Sequence, residues 1–173
     1  MKKYIHKEII EFLEESNAIE GVYDNQSLAE AKDAWDYAFK NRNSLTFDKI
    51  LKIHKLLAHR TRPDIAGQLR NVDVWIGGHK KVFVSYQLLK ENIEIWLLGF
   101  RIDKKGIRKA EWEKVIMNNH LDFEEIHPFE DFNGRTGRLL MNIQRYNTGL
   151  PILIIHEGDE QEKYYDLFKY RYA

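Results

Sequence analysis

Between His127 and Arg138 the chain reads His-Pro-Phe-Glu-Asp-Phe-Asn-Gly-Arg-Thr-Gly-Arg, and this stretch constrains the molecule more than any other. Apolar residues at helical spacing run up to it (Trp112, Val115, Ile116, Phe123) and resume beyond it at Leu139, Leu140 and Ile143. One helix must therefore end near His127 and another begin near Asn133, with a short turn between them. The first N–H groups of that second helix lack partners, and the positive end of its dipole faces the turn, which makes an anion site. Gly134 lets those amides approach a ligand closely. Arg135 and Arg138 lie three apart, so both guanidinium groups can reach one phosphate chain. Asp131 is the carboxylate placed to hold Mg2+, which takes carboxylate, phosphate oxygens and water. His127, with an ordinary pKa of about 6.5, can take a proton from an incoming hydroxyl. Pro128 and Phe129 fit a role in fixing the turn onto the core.

Helical period dominates the rest of the chain. It predicts helices over 3–16, from Ser27 onward, and over 46–59, 86–99, 109–125, 135–148 and 160–171. Ser27 with Glu30 reads as a capping box for the second of these. Between the third and fourth, Asn71-Val72-Asp73-Val74-Trp75-Ile76 alternates polar and apolar residues. Gly77-Gly78 makes a turn, and Lys80 to Val84 can return, so a small hairpin is expected. The fold class is mainly α: a helical bundle with one β-hairpin flap, within a single domain of 173 residues.

Composition narrows the function. Lys plus Arg number 27 and Asp plus Glu 27, so formal net charge is zero, which argues against a nucleic-acid partner. The absence of cysteine excludes disulfides and thiolate metal sites. No apolar run nears the ~20 residues of a membrane span, and residues 1–8 lack a signal peptide's apolar stretch. The expectation is a cytoplasmic protein. His120 and His127 share a helical face, but no third ligand accompanies them. The remaining histidines, His54 among them, show no spacing that demands a role.

The stretch resembles the signature of the Fic family, HxFx(D/E)GN(G/K)RxxR, departing from it only at Phe132, where the family usually has glycine. His120 to Ile126 is similar to the helix that leads into that signature. Gly67-Gln68-Leu69-Arg70, with Val74, Ile76, Gly77 and Val82, is similar to the family's flap, which docks an extended segment of a target. The resemblance extends over roughly residues 8–170, with a core of about 45–170. It implies the Fic fold and transfer of AMP from ATP onto a Ser, Thr or Tyr hydroxyl of a protein target, or of the chain itself. His127 is then the general base and Asp131 the Mg2+ ligand, while Asn133, Gly134, Arg135 and Arg138 serve the phosphates. Ser16-Asn17-Ala18-Ile19-Glu20-Gly21 resembles the family's inhibitory motif (S/T)xxxE(G/N). About residues 1–25 would then form an inhibitory helix, with Glu20 paired in bidentate fashion to Arg138.

Phe132 leaves two readings. If the position needs φ > 0, the ring either folds onto apolar neighbours or intrudes where a phosphate would lie. The second case points to another nucleotide or phosphate donor, or to loss of activity. Two further alternatives remain: a deAMPylase in which Glu20 orients water, and a silent module that captures peptides through its hairpin. Self-association as a homo-oligomer is left open.

Overall fold

The computed structural model describes residues 2–74, 84–101 and 108–171. Seven α-helices appear among them: α1 Lys2–Ala18, α2 Asn25–Lys40, α3 Phe47–Ala58, α4 Leu89–Phe100, α5 Lys109–Ile126, α6 Asn133–Thr148 and α7 Asp159–Arg171. A 3-10 turn, Tyr86–Leu88, leads into α4. The mainly α expectation holds, with boundaries within a few residues of those read from the periodicity. The hairpin falls largely outside the described residues, with Ile76, Gly77 and Val82. Val74 is described, and residues 71–74 form no strand.

α6 is the axis of the bundle. It packs against α1, α2, α3 and α5, and from Arg135 to Arg145 every residue is buried. Leu139, Leu140 and Ile143 face the main core, which includes Phe12, Trp35, Ile53, Ile93 and Phe123. Periodicity singled out those three. It did not show that the polar face would be buried too. A buried polar side chain must find a partner, and the connecting segments supply them. Asn142 exchanges two hydrogen bonds with the Leu153 backbone at 3.0 and 2.8 Å. Gln144 donates to Phe100 O and accepts from Asn119. Arg145 donates to Pro151 O at 2.8 Å. Gly149, at φ 77°, closes the helix in the left-handed conformation that glycine tolerates.

The capping-box reading of Ser27 and Glu30 is corrected. α2 begins three residues earlier, where Asp24 accepts from Ser27 N and Ser27 Oγ, both at 2.8 Å. Glu30 is 1% exposed and reaches another element, accepting from Arg60 N at 2.8 Å. A carboxylate at the cap satisfies an orphan N–H and meets the helix dipole favourably. Asp24→Ala should lower stability, read as a reduced urea midpoint at unchanged slope.

Candidate active site

Two left-handed residues bracket the turn between α5 and α6. His127 caps α5 at φ 45°, and Phe132 precedes α6 at φ 64°. They are the non-glycine residues with positive φ among the described residues. Strain of this kind persists where the surroundings hold it in place, and the surroundings here are specific. Asn133 accepts from Phe129 N at 2.9 Å and donates to Phe129 O at 2.8 Å, pinning the turn to the start of α6. His54 on α3 stacks on Phe129, with centroids 3.8 Å apart and planes within 5°, and its Nε2 lies 3.1 Å from Asp131 O. Because His54 Nδ1 accepts from Gly67 N, Nε2 carries the proton and donates to Asp131 O. Arg70 donates through Nε to His127 O at 2.8 Å, and through its guanidinium to Val72 O and Val84 O. One buried cation thus ties the turn between α5 and α6 to both ends of the chain that flank residues 75–83.

The start of α6 has the character expected of it. Thr136 N–H makes the first bond, to Phe132 O at 3.0 Å, so the N–H groups of Asn133, Gly134 and Arg135 find no acceptor among the described residues. The Asn133 side chain is committed to Phe129, so what it presents to a ligand here is its backbone N–H. Phe132 turns its ring into the core at 4% exposure, and the Arg135 guanidinium lies 3.6 Å above that ring. Left-handed strain of about 1–2 kcal/mol is offset by burial of a large aromatic group, about 1.5–3 kcal/mol. Of the two readings of Phe132, the ring follows the first: it floors Arg135. A cleft of about 580 Å³ opens alongside, lined among others by Glu20, Arg62, Asp131 and Arg135.

Arg138 is 2% exposed and is met by α1. Its Nε donates to Ser16 Oγ at 3.0 Å, and its Nη2 to Ser16 O at 2.9 Å and to Glu20 Oε1 at 2.7 Å. The expected bidentate pair is therefore a single contact, through Nη2, while Ser16 holds Nε and shares Nη2. A Cβ on Gly134 would come within 2.7 Å of Glu20 Oε1 and 2.8 Å of Arg138 Nη1. Glycine at 134 leaves this ion pair its room over the helix start.

His127 Nδ1 lies 3.3 Å from Glu124 O. A carbonyl only accepts, so Nδ1 carries the proton and Nε2 keeps its lone pair. Burial holds the ring well below its ordinary 6.5, at about 4, with Arg70 adding to the effect. A neutral imidazole with Nε2 open is in the form a base requires. Asp131 is half exposed; its Oδ1 accepts from Phe132 N at 2.6 Å and lies 3.7 Å from Arg135 Nη2. No group of three or more metal-ligating side chains occurs among the described residues. Asp131 is the half-exposed carboxylate here that would hold Mg2+, which commonly draws its other ligands from phosphate and water.

Sequence reasoning missed His54, Glu30 and Glu124 as parts of this region, because none shows a local pattern; only their contacts reveal them. Burial holds His54 at about 4 and His120 at about 3. With folded pKa values below the ordinary 6.5, these rings and His127 take up protons later than the unfolded chain does. Their contribution is present above about 6.5 and is lost as pH falls toward 4. Glu124, raised to about 7 by burial, acts in the opposite sense between 4.5 and 7. Three groups outweigh one, so the urea midpoint should be lower at pH 5 than at pH 7.

Comparison with known proteins agrees with this geometry. A curated relative from Aedes aegypti, named protein adenylyltransferase Fic, is 34% identical over 73% of this chain and 24% of its own length. Its namesake from Nematostella vectensis is 29% identical over 95% of this chain and 44% of its own length. The chain thus spans less than half the length of these relatives. A Fic domain containing signaling protein from Bacteroides thetaiotaomicron has the same fold, with a TM-score of 0.80 at 19% identity, covering 97% of this chain and 73% of that one. Fic-1 from C. elegans (residues 134–508, E274G) gives 0.76 at 19% identity, covering 98% of this chain and 57% of that one. The profile of the Fic/DOC family matches residues 44–144, from the approach to α3 through most of α6. With the signature turn held between α5 and α6 as described, the chain belongs to the Fic/DOC family.

Proposed function

We propose that this chain is a Mg2+-dependent protein adenylyltransferase held in check by its own Glu20. The observation that carries the reading is the Glu20 carboxylate lying on Arg138 directly over Gly134. An anion of this chain stands where the start of α6 and a buried arginine would otherwise receive a phosphate group.

In the transfer, the acceptor hydroxyl gives its proton to His127 Nε2 as its oxygen bonds to the α-phosphorus of ATP, and the bond to pyrophosphate breaks. Arg135, Arg138 and the N–H groups of Asn133, Gly134 and Arg135 hold the phosphates, and this fixed positive field accounts for most of the acceleration. Asp131 would hold Mg2+, which supplies neutralising charge to the phosphate oxygens. The Phe132 ring, buried under Arg135, leaves that guanidinium in place for a phosphate. The partners are a protein hydroxyl, in a target or in the chain itself, and ATP. No helix among the described residues is long and apolar enough to cross a membrane.

With Glu20 on Arg138, ATP can bind with its α-phosphate displaced, and a misplacement near 1 Å slows attack by about 100-fold. Glu20→Gly incubated with ATP and Mg2+ should therefore gain one AMP by intact mass, at a rate on the order of 100-fold above the parent. No gain, or a gain that survives His127→Ala in the same background, sinks the reading. Ser16→Ala removes the partner of Arg138 Nε while leaving Glu20 in place. It should release activity by a few-fold, well short of Glu20→Gly, when both are compared by label transfer from α-labelled ATP.

A further inference from the structure

We propose that Glu124 is the positioning carboxylate of the base: it stands beside Nδ1 of His127 and balances the charge the ring acquires when Nε2 takes the acceptor's proton. The inference rests on His127 acting as the base. Glu124 lies one turn back on α5, with Oε2 3.9 Å from His127 Nδ1, while its own carbonyl receives the Nδ1 proton. The residue is buried, and its Oε1 has no hydrogen-bond partner among the described residues. An apolar side chain would fill this place without that penalty, and a buried polar oxygen with no partner points to a role beyond packing.

The room for it is specific. A Cβ at position 137 would collide with Glu124 Oε1 and come within 3.0 Å of the His120 ring, so Gly137 in α6 gives the carboxyl its space. The groups facing Glu124 are His120 and His127 on α5, Arg138 on α6, Glu20 from the end of α1 and Tyr164 on α7. Burial raises its pKa most; Arg138 opposes that and Glu20 adds to it, with a result of about 7. The carboxyl thus changes charge where neutral His127, at about 4, does not.

During transfer the acceptor oxygen bonds to the α-phosphorus, the bond to pyrophosphate breaks, and the proton moves to Nε2. The Nδ1 proton stays, so the ring becomes a cation. Ionised Glu124 is its counter-charge, and neutral Glu124 is not. Activity should therefore rise with pH through about 7 on account of Glu124.

The test uses the Glu20→Gly protein with and without Glu124→Gln, which keeps shape and removes the charge. With saturating ATP, single-turnover transfer should fall roughly tenfold in the Gln variant, the equivalent of one pKa unit of imidazolium stabilisation. The KM for ATP should hold, and the rise in rate with pH, which loss of Glu20 moves below 7, should disappear. Independently of transfer, the ring nitrogen shifts of His127 in the protein that keeps Glu20, followed from pH 5 to 9 without nucleotide, should show an inflection near 7 that Glu124→Gln abolishes. A flat titration in the unsubstituted residue-124 protein overturns the proposal and requires no variant to fold. An inflection or a rate profile that persists in the Gln variant overturns it as well. If Glu20→Gly transfers no AMP at all, the functional reading falls, and the ring titration still decides Glu124.

Discussion

A guanidinium that is 2% exposed cannot be neutralised by water, so Arg138 has to be accompanied by an anion. Much of the architecture around the site follows from that requirement. Arg138 sits on the axial helix of the bundle, one turn beyond the unsatisfied N–H groups of its start. Glu20 and Ser16 bring the end of α1 to it, while Glu124 and Tyr164 approach from α5 and α7. On the proposed function, an incoming phosphate would meet the same cation that the Glu20 carboxylate now holds, so Glu20 would act on it directly instead of over a distance.

The neighbouring turn solves a different problem. His127 and Phe132 both adopt left-handed backbone, which non-glycine residues avoid. The surrounding contacts over-determine it: Asn133 on Phe129, His54 on Asp131, Arg70 on His127. Each is a buried polar group whose partner is a backbone atom of the turn, so loosening the turn would leave several groups unpaired at once. Phe132, a departure from the family's usual glycine, converts the same geometry into a platform for Arg135. The strain is retained because the ring is buried and the cation stacks on it.

The helices were legible because hydrophobic period survives in a sequence read alone. Leu139, Leu140 and Ile143 marked α6, and Trp112, Ile116 and Phe123 marked α5. The start of α2 was misread, since Asp24 and Ser27 are both plausible caps and only the backbone chooses between them. The buried polar face of α6 was not legible either. Asn142, Gln144 and Arg145 look like a solvated surface until Leu153, Phe100 and Pro151 come to cover them.

For the site, the chemistry-bearing groups stood within twelve consecutive residues, and their identities alone pointed to a base, a cation ligand and a phosphate grip. Local spacing determined that much, because a turn entering a helix start makes its anion site from neighbours in the chain. Only the tertiary structure decided what faces those groups: which way the Phe132 ring turns, how Ser16 shares Arg138 with Glu20, and that Glu124 lies beside His127 in space left by Gly137. Those relations join residues as much as 122 positions apart, and packing of the helices, which no local pattern encodes, brings them together.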